Sequence, residues 1–89
     1  MPYIKQDDRE EFDWVVLNLA AKLGAYGVTG NLNYVLFKLF KQLKKLGYLH
    51  NYETFSRFLA ELDCSAREIY RREIAEYEDK KIEDNGDIE

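Results

Sequence analysis

Three apolar stripes at helical spacing decide what this chain can fold into. Phe12, Val15, Val16, Leu19, Ala20 and Leu23 recur at steps of three and four, with Trp14, Leu17 and Ala21 widening the stripe. Leu32, Val35, Leu36, Leu39, Phe40, Leu43 and Leu46 repeat the pattern, and Phe55, Phe58, Leu59, Leu62, Ala66, Ile69, Tyr70, Ile74 and Tyr77 repeat it again. Residues three and four apart share one face of a helix, so each run presents one greasy side. No stretch alternates with period two, so nothing reads as a strand. The spacing predicts an all-α chain with three main helices, at about 7–23, 31–46 and 52–82, packed as a small helical bundle with the last helix long. One proline and five glycines leave few breaks. With 46% hydrophobic residues there is enough apolar surface to offset the entropy of ordering.

Local signals set the expected ends. Asp7 or Asp8 is a good N-cap for the first helix, with Glu10 and Glu11 complementing its positive end. Gly24 begins a loop that runs to Gly30. Thr29 or Asn31 can cap the second helix, and Gly47 fits the position just past its end. Asn51 can cap the third. Within that helix Ser65-Ala66-Arg67-Glu68 reads as a capping box that would start a new helix, whereas the unbroken apolar phase from Leu62 to Ile69 favours continuity. We expect one domain, residues 1–82, followed by an acidic frayed tail, 83–89. A chain of 89 residues buries only roughly 60–65% of its unfolded surface, so the core is thin and association would help stability.

Composition excludes several classes. A single cysteine, Cys64, permits no internal disulfide; it reads best as a small core residue. One histidine, His50, with one cysteine cannot build an ordinary zinc site. The N-terminal residues hold no signal-like apolar run, and Asn18, Lys22, Lys38 and Lys41 interrupt the longest apolar stretches. No membrane span and a cytoplasmic location are therefore expected. Charge is unevenly spread. Lys5 and Arg9 against Asp7, Asp8, Glu10, Glu11 and Asp13 leave −3 in residues 1–13. Lys38, Lys41, Lys44 and Lys45, with no acid, give +4 in residues 31–50. Eight acids against Lys80 and Lys81 leave −6 in residues 73–89. This polarity suits head-to-tail docking or a solvated surface. The acidic total of −4 argues against binding a nucleic-acid backbone.

Met1-Pro2-Tyr3-Ile4, Gly30-Asn31-Leu32-Asn33-Tyr34, Tyr70-Arg71-Arg72, Tyr77-Glu78-Asp79-Lys80-Lys81-Ile82 and Asn85-Gly86-Asp87 occur in that order. The set resembles a family of small uncharacterised bacterial, archaeal and phage proteins with an MPYI start, a G-x-L-N-Y segment, a YRR segment and a YED-x-KI-x-x-NGD end. The resemblance covers nearly the whole chain and rests on the ordered set, each motif alone being weak. Glu76 stands where related members often carry proline, and the Gly24 to Gly30 loop is longer than theirs. The resemblance implies a small helical fold and no chemistry. It singles out Asn33, Tyr34, Tyr70, Arg71, Arg72, Tyr77, Glu78 and Asp79.

Three constellations compete for function. Tyr70, Arg71 and Arg72 offer a phenol and two guanidinium forks, and with Asn33 and Tyr34 they would line a pocket for a nucleotide or other anion. Pairing of Arg71 and Arg72 with Glu68, Glu76 or Glu78 is the plainer reading. Glu73, Glu76 and Asp79, three apart, would share a magnesium ion in a hydrolase version of that pocket; a solvated acidic face is the commoner meaning. Gly24, Gly27 and Gly30 are not a phosphate loop, since no strand precedes them and no Gly-Lys-Ser/Thr follows. The third constellation is an aromatic surplus off the stripes: Trp14, Tyr26, Tyr34, Phe37, Tyr48 and Tyr52. Exposed, they would form a patch suited to an interface; buried, they would complete the core. The leading expectation is a small non-enzymatic binding or assembly module without cofactor. It would dock its aromatic surface on a copy of itself or on another protein. The alternative is the anionic-ligand pocket, as a sequestration protein or a magnesium-dependent nucleotide hydrolase.

Overall fold

A computed structural model describes residues 2–88. It is all-α, as expected. Helix α1 spans Gln6–Tyr26 and α2 spans Asn31–Lys45. Helix α3, Tyr52–Ile69, continues through a π-helical turn, Tyr70–Ile74, into α4, Ala75–Asn85. There is thus no break at Asp63-Cys64-Ser65, and the apolar phase prevailed over the capping-box signature. The departure from α geometry falls five residues later, where the Ala75 N–H reaches the Tyr70 carbonyl. The chain divides into two units, residues 2–56 and 57–88.

Several ends differ from expectation for identifiable reasons. Helix α1 begins one residue before Asp7, so Asp7 and Asp8 lie in its first turn and act through charge on the positive helix end, while Lys5 holds the cap position without a side-chain bond. Arg9 Nε donates to the Ile4 carbonyl at 2.9 Å and secures the entering strand of chain. At the other end Gly24 stays helical, and α1 stops at Gly27, whose φ of 100° is a conformation that residues with a Cβ adopt only at a cost. Neither Thr29 nor Asn31 caps α2; Gly30 occupies that position. Asn31 serves the preceding helix instead. Its Nδ2 donates to the carbonyls of Tyr26, at 3.1 Å, and Gly27, at 2.8 Å, so the end of α1 is tied to the start of α2.

Two ends match their sequence signals in atomic detail. Past α2, the Tyr48 N–H donates to Leu43 O at 2.9 Å and the Gly47 N–H to Lys44 O at 3.1 Å. This is a Schellman closure, with Gly47 at φ 90° supplying the left-handed residue. At the start of α3 the Thr54 N–H donates to Asn51 Oδ1 at 2.9 Å, and the Asn51 N–H donates back to Thr54 Oγ1 at 3.1 Å. Such a reciprocal pair satisfies two backbone donors that the helix cannot.

Within residues 2–56 the half-buried apolar side chains are Leu19 and Leu23 of α1, Val35, Leu36, Phe40 and Leu43 of α2, then Leu49 and Phe55. The rings of Phe40 and Phe55 lie 5.5 Å apart and tilted, and Lys44 Nζ sits 5.6 Å over the Phe55 ring. Within residues 57–88, Phe58, Leu62 and Ala75 are half-buried. None of the described residues is fully buried. Cys64, expected in a core, is exposed. Each stripe is therefore real, yet among the described residues its side chains are at most half-buried.

Candidate functional site

Helix α1 carries the plainest imbalance. Its apolar residues do not keep to one face. Trp14, Val15, Val16 and Leu17 are consecutive, and consecutive helical residues point about 100° apart, so they cover almost the full circumference. All four are 60–69% exposed. The contact that half-buries Leu19 and Leu23 covers one side of the next turns only.

A second feature lies along α2. Gly30, Asn33, Tyr34, Phe37, Lys38 and Lys41 line an open groove of about 570 Å³. They follow helical steps on the side away from the half-buried Val35, Leu36, Phe40 and Leu43, of which Phe40 meets Phe55. Tyr34 and Phe37 form its apolar wall at 65% and 63% exposure, and Lys41 Nζ stands 6.0 Å from the Phe37 ring. The remaining expected interface residues, Tyr26, Tyr48 and Tyr52, are exposed as well. None of the six aromatics of the surplus completes a core.

The residues expected around an anion fall on both units. Asn33 and Tyr34 belong to α2, within residues 2–56, and Tyr70, Arg71 and Arg72 form the first three positions of the π turn, within residues 57–88. Arg71 Nε is held by Glu68 Oε1, three residues back. Tyr70 Oη donates to Glu78 Oε1 at 2.8 Å, a reach of eight residues that spans the π turn. Glu73 sits in that turn and Glu76 and Asp79 in α4; among the described residues no three Asp, Glu, His or Cys side chains gather as a metal-holding group. None of the described helices is long and apolar enough to cross a membrane.

The Tyr70–Glu78 bond leaves a titration signature. Donation to the Glu78 carboxylate favours the neutral phenol, and the negative charges of Glu78 and then Asp79 oppose phenolate, so the Tyr70 pKa is raised above its ordinary 10.0. The bond's contribution to stability is then complete below pH 10 and is lost as pH rises through the raised value. Glu78→Gln is expected to bring phenol ionisation of Tyr70 back toward 10, read as a lower-pH midpoint in the ultraviolet difference titration of variant against parent. An unchanged titration would show that the two side chains do not meet.

Sequence reasoning identified the aromatics of the groove but missed the groove itself. The signal was present: Gly30, Asn33, Tyr34, Phe37, Lys38 and Lys41 repeat at helical spacing on the flank of the α2 stripe. The π turn and the Asn31 tie gave no such signal.

The chain belongs to a family described as a domain of unknown function (DUF6899), whose model matches residues 1–88. No curated protein and no solved structure gives a significant match.

Proposed function

We propose that this protein is a non-enzymatic helical module that works by self-association, its isolated chain being one part of a homomeric assembly. One observation carries the reading: α1 is apolar around nearly its whole circumference from Trp14 to Leu17, yet every one of those side chains is exposed. A helix apolar on all sides is stable in water only when enclosed. Leaving four such side chains wet forgoes roughly 1.5–3 kcal/mol for each large one, a loss that a second chain recovers by covering them. The exposed Tyr26, Tyr34, Phe37, Tyr48 and Tyr52 supply the residue type that interfaces favour, large in area and poor in rotors. A chain of 89 residues with no fully buried described side chain gains more from such cover than a larger domain would.

The test is the mass in solution. Sedimentation equilibrium across a hundredfold range of concentration is expected to give a multiple of 10.6 kDa throughout or a rise toward one. A species that stays at monomer mass at the highest concentration, and is fully helical there, overturns the proposal.

A further inference from the structure

The acidic, apolar first half of α1 and the lysine-walled groove of α2 lie on the same unit, residues 2–56, and are opposite in charge. Asp7, Asp8, Glu10, Glu11 and Asp13 precede or flank Trp14–Leu17, while Lys38 and Lys41 border the groove beside Tyr34 and Phe37. Resting on the self-association reading above, we infer that the α2 groove of one protomer receives α1 of a second copy, with Trp14 and Leu17 against Tyr34 and Phe37 and with Glu10 and Asp13 opposite Lys38 and Lys41.

Three arguments select this occupant. The first is charge. Groove against groove would oppose Lys38 and Lys41 to the same lysines of the other copy, and the acid-flanked half of α1 against itself would oppose carboxylates; the crossed pairing alone satisfies both surfaces. The second is face. Glu10, Asp13, Trp14 and Leu17 follow one another at helical steps of three, four and seven from Glu10 and share a side of α1, away from half-buried Leu19 and Leu23, so apolar contact and ion pairing are made together. The third is space. Gly30, without a Cβ and with no atom within 4 Å of where one would be, leaves the groove end open to a helix laid along it. Each protomer carries one donor helix and one acceptor groove, so a reciprocal two-fold pair uses both, and an unclosed arrangement propagates.

A charge-swap pair separates this assignment from self-association in general. Glu10, Asp13, Lys38 and Lys41 are all exposed, so the substitutions leave the fold of the protomer intact, which far-ultraviolet circular dichroism verifies. Lys38→Glu with Lys41→Glu places acid against acid, and Glu10→Lys with Asp13→Lys places base against base. Each double variant alone is expected to associate at least about tenfold more weakly than the parent. An equimolar mixture is expected to recover parental association as a heteromer, because acidic groove then meets basic α1 and basic groove meets acidic α1. The mixture carries the test even where one variant alone loses helicity, since pairing restores both. Parental association that is indifferent to all four charges, or a mixture that stays as weak as its components, places the contact elsewhere and overturns this assignment while leaving self-association standing. A monomeric parent overturns both.

Discussion

Trp14→Asp combined with Leu17→Asp is expected to reduce the assembly to monomer, weakening association by a factor of about a thousand or more. The two side chains lie three apart on α1 and are 69% and 60% exposed in the single chain, so within the protomer the substitutions remove little packing. In an assembly that encloses α1 they remove two large apolar contacts, at about 2 kcal/mol each, and about 4 kcal/mol is a factor near a thousand. Two carboxylates would also have to be desolvated, which adds to the loss. The protomer should keep its α2–α3 contact through Phe40 and Phe55, so partial helicity persists while mass falls. Sedimentation and circular dichroism on one sample check both statements. Association unchanged by the double variant would show that this side of α1 faces solvent in the assembled protein, and the argument from its apolar circumference would fall.

The parts of this fold that were legible in the sequence are those in which a residue type has one physical use. Asn51 followed by Thr54 can close a reciprocal cap, and Gly47 after Lys44-Lys45-Leu46 can take the positive φ of a Schellman closure; both do so, and the limits of α2 and the start of α3 fell within a residue of expectation. Residues with several uses misled. Gly24 weakens a helix by about 1 kcal/mol relative to alanine but does not end it, and the positive φ that does end α1 lies at Gly27. Asn31, like Thr29, has the side chain of a cap for the helix that follows, whereas its amide bonds to the carbonyls that α1 leaves open. The π turn left no trace because Tyr70-Arg71-Arg72-Glu73-Ile74 has the composition of an ordinary helix, and a one-residue insertion shows only against an aligned relative. Among the site residues, the off-stripe aromatics were readable because they exceeded what three stripes could use. Where they would find cover was not readable, because a helical period gives the angle of a side chain and not the contents of the space beside it.

Continuity of the third helix carries the other large effect, and proline substitution reads it directly. Ala66 is the fifteenth residue of α3, with α-helical backbone on both sides. Proline there removes one helical hydrogen bond, collides with the carbonyl four residues earlier and pushes Ser65 out of the α region. Ala66→Pro is therefore expected to destabilise the protein by about 3 kcal/mol or more, with loss of helical signal, measured by urea unfolding at 222 nm. Had Ser65 been the cap of a separate helix, Ala66 would occupy its first turn, where proline is accommodated at little cost because the N–H there has no helical partner. Tyr52 provides the internal comparison. It is the first residue of α3, follows the Asn51 cap and is 84% exposed, so Tyr52→Pro forfeits neither an intrahelical bond nor buried area and should cost well under 1 kcal/mol. The two prolines in one helix thus report position alone. Equal, small effects would place a helix start at residues 65 and 66, where α3 has α-helical backbone on both sides.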